Sequence, residues 1–377
     1  PPFIQSLSQF SDEESPIWPK EISQSSSSET GTPHFHGKVG SLAAVSNIHS
    51  LIMLVLSEEA VKNLVDIEEL IQALERAHVQ FSTGKAVMPV RLVVPLPEIK
   101  GRITSMPAYL GADKALGMKV VTYFPENPKQ GLPTILATVF LYSTETGKLL
   151  AVMDGTYITS IRTACVSAAA TRALANPETP VLGILGAGVQ ARAHIRALCR
   201  VRKIRAIKVY DLVEKSVQSL IQELEPEVGI KIEPVKTAEA AVRNADLLVT
   251  VTTAKEPILS ADWLKPGVHI NAVGSHRPDL REIDAATFQR AKVVVDSREA
   301  IMAECGDIIL AIKEGAITED HIYAEIGEIL AGKKAGRKNA DEVTVYKCVG
   351  VAIQDVATAQ FVYRKAIERK IGVNVEI

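Results

Sequence analysis

Along the second half of the chain, short apolar runs alternate with stretches of helical or turn-like sequence. The runs cover residues 181–185, 206–210, 245–252, 267–274 and 291–296. Runs that are apolar throughout, rather than at every second position, suit strands buried on both faces, so the pattern predicts a parallel sheet covered by helices on both sides. The first half reads differently. Residues 66–80 place Ile67, Leu70, Ile71 and Leu74 on one face of an amphipathic helix, and strand-like runs follow to about Met153. Ahead of them MLVLSEEAV, from Met53, predicts a strand and then a helix capped by Ser57. Residues 1–50 are Ser-rich, with Ser25 to Ser28 in succession, and show little apolar periodicity, so they are expected to form a mobile extension.

One junction of run and helix carries chemistry. The apolar run VLGIL ends in Gly186-Ala187-Gly188-Val189-Gln190-Ala191 and a helical segment follows. In a G-x-G-x-x-G/A turn the first glycine makes the tight bend and the second lets a pyrophosphate approach the backbone; the anion then rests on the amides of the next helix. Gly186, Gly188 and Ala191 take these positions. The second run ends at Asp211, about twenty residues past the turn, where an acid receives the adenosine ribose hydroxyls and repels a 2′-phosphate. The expected fold class is therefore α/β, a Rossmann-type doubly wound parallel sheet with a smaller α+β domain. The expected cofactor is NAD, with NADP as the alternative.

Composition narrows the partners. The 377 residues are 47% hydrophobic and 23% charged, an ordinary globular balance with length enough for two cores. A net charge of −2, without a long basic run, offers no footprint for nucleic acid or an anionic membrane. Cys165, Cys199, Cys305 and Cys348 form no C-x-x-C unit, and His34 and His36 in the Ser-rich tract read as solvated, so no metal site is expected. No apolar stretch approaches a membrane span and no leader pattern opens the chain, which implies a soluble, cytoplasmic protein.

Three cations occur in apolar surroundings: Arg91 in PVRLVVPLP, Lys119 in GMKVVTYFP and Arg162 in TSIRTACVSAAATRAL. Each needs a carboxylate or a ligand if buried. Converging, they would make a receptor for an amino-acid or imino-acid carboxylate; apart, they would be separate salt bridges.

The segments PVRLVVP, MPAYL, GMKVVTYFPEN, DGTYITSIRTACVSAAAT, GILGAGVQA, AVGSHRPDLREID, ECGDI and VTVYKCVGVAIQDVATA, in this order, resemble the ornithine cyclodeaminase/mu-crystallin family. The resemblance runs from about Met53 to the C-terminus. It implies a homodimer, with residues 51–156 and 346–377 forming a substrate-binding and dimerisation domain and residues 157–345 the dinucleotide domain. It assigns the substrate carboxylate to Arg91, Lys119 and Arg162, and the substrate pocket to Met106. Dinucleotide contacts fall on Gly186, Gly188, Val189, Gln190, Asp211, Val273 and Gly274, with Thr163 and Ser167 as further candidates for a phosphate.

The sequence departs from the cyclodeaminase pattern at one position. Those members carry an aspartate for the substrate's side-chain amine in the loop after Val273-Gly274. Here the loop reads Gly274-Ser275-His276-Arg277-Pro278-Asp279, with His276 at that position and Asp279 three residues on. A neutral imidazole exchanges protons but does not hold an ammonium as a carboxylate does. The expected activity is hydride transfer between a nicotinamide and the α carbon of an imino or amino acid. The expected proton donor is Lys119 or His276. A cyclodeaminase converting ornithine to proline and ammonia, and a non-catalytic crystallin-like binding protein, are the alternatives. Glu304 and Asp307 are candidates to orient Lys119 or a substrate amine, or else to cap a helix; Lys347 is read as a surface residue and Cys348 as a small buried one.

Overall fold

A computed structural model describes residues 52–376. The Ser-rich segment, including His34 and His36, lies outside the described residues. Two eight-stranded sheets organise the rest.

The first sheet begins with Ile52–Leu56, which runs parallel to Leu149–Asp154 and antiparallel to Val373–Glu376. From Leu149–Asp154 the order continues antiparallel through Ile135–Tyr142, Ala115–Tyr123 and Gly101–Leu110, with Ala86–Val87 and Leu92–Leu96 on the last of these. Ser57 caps the helix Glu58–Leu64 and Asp66 caps Ile67–Ser82, each side chain accepting a backbone N–H of the first turn. The amphipathic face buries Leu70, Ile71 and Leu74. On the sheet, Met106 and Lys119 are direct cross-strand partners and share one face. The helix Ala352–Arg369 packs on Gly101–Leu110, Ala115–Tyr123 and Ile135–Tyr142.

Every pairing in the second sheet is parallel. Its order is Ile232–Pro234, Ala206–Tyr210, Val181–Leu185, Leu247–Thr250, His269–Ala272, Val343–Lys347, Ala291–Val295 and Ile322–Glu325. Sequence order reverses between Val181–Leu185 and Leu247–Thr250, so a crevice opens there at the strands' carboxyl ends. The expected boundary at residue 345 falls inside a strand: Tyr346 and Lys347 belong to the parallel sheet, flanked by His269–Ala272 and Ala291–Val295. The helix Thr156–Leu174 is buried along most of its length, and its alanines let Val189–Val201 pack close beside it.

The turn out of Val181–Leu185 is sterically tight. Gly186 has φ +107°, and a Cβ there would lie 2.8 Å from the Val251 carbonyl oxygen. Gly186→Ala is therefore expected to cost about 1–3 kcal/mol of stability, read as a lower midpoint in denaturant unfolding. A midpoint equal to that of the wild type would mean that the turn relaxes without strain.

Candidate functional site

The crevice at the reversal is built by Gly186, Gly188, Asp211 and the turn at Val273-Gly274. Gly188 opens the helix Val189–Val201, which has no side-chain cap, so its first amides remain available to an anion. A Cβ on Gly188 would meet nothing within 4 Å, and Val189 is exposed beside it. The Asp211 carboxylate accepts the Ala187 N–H at 2.7 Å and the Val213 N–H at 2.8 Å, which ties it to the glycine turn. Gln190 Oε1 is buried without a partner among the described residues. Open space over Gly188, free helix amides and a carboxylate at the second strand's end fit the diphosphate and ribose of a dinucleotide.

Beneath the crevice lies a buried ionic network. Glu282 is fully buried; its carboxylate accepts Thr252 N–H at 2.6 Å, Thr252 Oγ1 at 2.7 Å, Thr250 Oγ1 at 2.8 Å and Gly274 N–H at 2.8 Å. It thereby fastens the ends of two neighbouring strands to each other. Asp307 accepts the Glu282 and Ile283 N–H groups at 2.7 and 3.1 Å and pairs with Lys347 Nζ at 2.9 Å, both side chains having no exposed surface. Lys347 is thus a core residue, contrary to the surface position expected of it, because Asp307 supplies the charge that burial requires.

The three cations converge. Lys119 Nζ lies 2.9 and 2.8 Å from the two oxygens of Asp355 and 3.3 Å from Thr159 Oγ1. Arg162 Nε donates to the same carboxylate at 3.0 Å, and its Nη1 donates to Gln354 Oε1. Arg91 pairs with Glu304 at 2.8 Å through Nε, while Nη2 donates to the Val349 and Gly350 carbonyls at 3.1 and 2.5 Å. Gly350, at φ +77°, joins the two arginines: a Cβ there would stand 2.5 Å from Arg162 Nη1. Asp296 holds this loop in place by accepting the Val349 and Gly350 N–H groups at 3.0 and 2.8 Å. The hydrogen bonds of Arg91 engage Nη2 and those of Arg162 engage Nε and Nη1, which leaves Arg91 Nη1 and Arg162 Nη2 without a hydrogen bond among the described residues. Met106, Met88, Arg91, Glu304, Val351 and Ala352 line a narrow cleft.

The electrostatics separate the two candidate proton donors. Burial presses Lys119 down to about 7; the Asp355 charge opposes this, while Arg162 and Arg91 reinforce it. Burial also presses His276 down to about 4; the Gly274 carbonyl, which its Nδ1 meets at 2.9 Å, opposes this, and Arg102, Arg91 and Lys347 add to it. His276 is therefore a neutral imidazole near pH 7.

Other expected residues fall into local roles. Thr163 Oγ1 donates to the Thr159 carbonyl at 2.8 Å, and Ser167 Oγ meets His194 Nε2 at 2.9 Å between two helices. Asp279 pairs with Arg277 at the surface. Cys348 is buried. Neither Glu304 nor Asp307 orients Lys119: their partners are Arg91 and Lys347, and the orienting carboxylate is Asp355. Sequence reading missed Asp355, Gln354 and Asp296. The available signal was a polar pair, Gln354-Asp355, in an otherwise apolar stretch at a helix start.

A glycine turn at the reversal of a parallel sheet, with a buried cationic cleft at the same carboxyl ends, defines a Rossmann-fold protein built to bring a small anion to a dinucleotide site. The ornithine cyclodeaminase/mu-crystallin family model matches residues 52–370, and the chain belongs to that family. A Delta(1)-pyrroline-2-carboxylate reductase of Bacillus cereus is 38% identical over 325 residues, 86% of this chain and 100% of that protein. The solved structure of Thermococcus litoralis Delta(1)-pyrroline-2-carboxylate reductase in complex with NADH and L-proline matches with a TM-score of 0.84 at 44% identity, covering 86% of this chain and 100% of the other. An archaeal alanine dehydrogenase dimer with bound NAD matches with a TM-score of 0.82 at 38% identity, covering 86% and 99%.

Removing the buried ammonium without its partner should be costly. Lys347→Met is expected to lower unfolding free energy by about 3–5 kcal/mol, with part recovered in Lys347→Met/Asp307→Asn. Urea denaturation of both variants checks this; equal losses in the two would deny the ion pair its role.

Proposed function

We propose that the protein is an NADH-dependent oxidoreductase that reduces ketimines to amino acids. The substrate class is cyclic imines such as pyrroline- or piperideine-2-carboxylate, or the imine formed from pyruvate and ammonia. The observation that carries this reading is the convergence of Arg91, Lys119 and Arg162 beside the crevice, two of them with unengaged guanidinium nitrogens. The reductase and alanine dehydrogenase relatives support it.

In this reading Gly186, Gly188, Val189 and Gln190 hold the diphosphate of the dinucleotide, and Val273-Gly274 contacts its nicotinamide half. Asp211 binds the ribose hydroxyls and favours NADH over NADPH. Thr163 is a further candidate contact through its oxygen. When bound, the nicotinamide supplies the hydride. Arg91 Nη1 and Arg162 Nη2 grip the substrate carboxylate, and Met106 bounds its apolar side, so that the imine carbon is held in one orientation. Lys119 protonates the imine nitrogen, which makes the carbon a better hydride acceptor. His276, neutral and tied to Gly274, bounds the cleft and offers no anion for a second amine.

Exposed Leu92, Val93, Val94, Ile103, Ile135 and Leu136 on the antiparallel sheet support a homodimer. Among the described residues no helix is long and apolar enough to cross a membrane. Four unpaired cysteines, three of them buried, support a reducing cytoplasm as the compartment.

The deciding experiment is a matched assay of the purified protein. NADH and NADPH oxidation with pyrroline-2-carboxylate, and with pyruvate plus ammonia, is run beside proline formation from ornithine with catalytic NAD. Stoichiometric NADH oxidation is expected. Proline and ammonia appearing without net cofactor change would establish a cyclodeaminase instead, and no turnover with any of these would favour a binding protein.

The protonation of Lys119 sets the sign of the pH dependence. Because the ammonium is the donor, kcat/KM for imine reduction should be level at low pH and fall as pH rises through about 7. Amino-acid oxidation, which needs the neutral amine as acceptor, should rise across the same range. Paired profiles that move in the same direction would exclude Lys119 as the group that exchanges the proton.

A further inference from the structure

Gln354 and Asp355 lie in the first turn of Ala352–Arg369, and neither side chain has exposed surface. Arg162 is held by both, through Nη1 and Nε. Among the described residues the one anion paired with Lys119 is Asp355. No second carboxylate among the described residues pairs with it. Arg162 and the Thr159 hydroxyl face it from the helix Thr156–Leu174, and Arg91, already neutralised by Glu304, stands ahead of Leu92–Leu96. On the helix Ile67–Ser82, His78 is buried behind Gln354, with its Nε2 3.1 Å from the amide nitrogen.

Two like charges in one desolvated space push the ammonium to release its proton, because burial and a neighbouring guanidinium both penalise the charged form. A single carboxylate that reaches both opposes this. Arg162 would keep one anchor without Asp355; Lys119 would keep none that is charged.

We infer that Asp355 is a positioning residue that, acting through Lys119, keeps the ammonium protonated and directed into the cleft for delivery to the substrate nitrogen. The inference rests on the reading of Lys119 as proton donor given above. In the step itself the proton leaves Nζ for the imine nitrogen. With the hydride supplied by NADH arriving at the adjoining carbon, the C=N bond becomes an amine, and a solvent proton restores Nζ.

The test compares the wild type with Asp355→Asn, which keeps the shape and removes the charge, using pyrroline-2-carboxylate and NADH across pH 6–9. NADH affinity, followed by fluorescence, should stay within about threefold of the wild type. kcat/KM should fall by about tenfold at pH 8 and about twofold at pH 6, because the alkaline limb moves toward acid by about one unit. Asp355→Glu, which retains the charge, should leave the limb near its wild-type position. A uniform loss with the limb unmoved, or no loss, overturns the inference.

Where Asp355→Asn alone fails to bind NADH, Lys119→Met/Asp355→Asn removes cation and anion together. Its kcat/KM should then lie within about threefold of Lys119→Met, as expected when one residue acts through the other. A larger further fall overturns the inference. A wild type that reduces no imine overturns the functional reading, and this inference with it. Wild-type turnover with an unmoved variant overturns the inference alone.

Discussion

Between Lys119 Nζ and Arg162 Nε, at 2.8 and 3.0 Å, sits the carboxylate of Asp355. Neither cation can be taken out of water without such a partner, and neither lies on the element that carries it. Lys119 comes from the antiparallel sheet, Arg162 from the helix that leads into the parallel sheet, and Asp355 from the helix that returns across the first sheet. One ion cluster thus sets the relation between three elements. Arg91 joins through the Gly350 peptide, which accepts its Nη2 on one side and packs under Arg162 on the other. Because Asp296 fixes that peptide from the end of Ala291–Val295, the cation geometry is referred back to the parallel sheet.

The dinucleotide half solves the same problem with a second buried group. Glu282 gathers Thr250, Thr252 and Gly274 at the strand ends, and Asp307 with Lys347 holds the Glu282 backbone from beneath. Such ionic cores are weak sources of stability, since desolvation consumes most of the attraction. What they provide in this fold is placement: the carboxylates aim backbone amides and cations at fixed points on one edge of the sheet. A packed apolar core could bury as much surface, but it would not orient donors.

Features set by neighbouring residues were legible in the sequence. The glycine turn, the caps at Ser57 and Asp66, and the helix over Ile67–Ser82 depend on spacing within a few positions. The strand Ala206–Tyr210 has the bounds its apolar run predicts, whereas the runs at 245–252 and 267–274 overstate strands that span only Leu247–Thr250 and His269–Ala272. Apolar flanking turns account for the excess. Arg91, Lys119 and Arg162 stood out because charge in apolar sequence demands compensation. The compensating groups did not, since Asp355 lies 236 positions from Lys119 and 193 from Arg162. Lys347 was misread for the same reason: its environment depends on Asp307, which only the fold places beside it. The insertion of Val343–Lys347 between His269–Ala272 and Ala291–Val295 likewise follows from chain return, which no local pattern encodes.

On the proposed reading of the site, the cleft's formal charges make substrate and proton interdependent. Arg91, Glu304, Arg162 and Asp355 cancel, so the balance rests on Lys119. With Lys119 protonated the cluster carries one positive charge, and an incoming carboxylate neutralises it. With Lys119 neutral the same carboxylate would leave an uncompensated anion in a desolvated cleft. Substrate binding therefore favours the ammonium, and the ammonium favours substrate, as linkage requires of any pair of ligands that share a charge environment. A lysine pressed to about 7 sits where this coupling has most effect near neutrality, because the free site holds both forms and the bound site selects the donor. Asp355 sets the starting point of that selection. If the carboxylate were drawn nearer, the ammonium would be permanent and a poor acid; without it, each turnover would begin by recruiting a proton against the uncompensated Arg162 guanidinium.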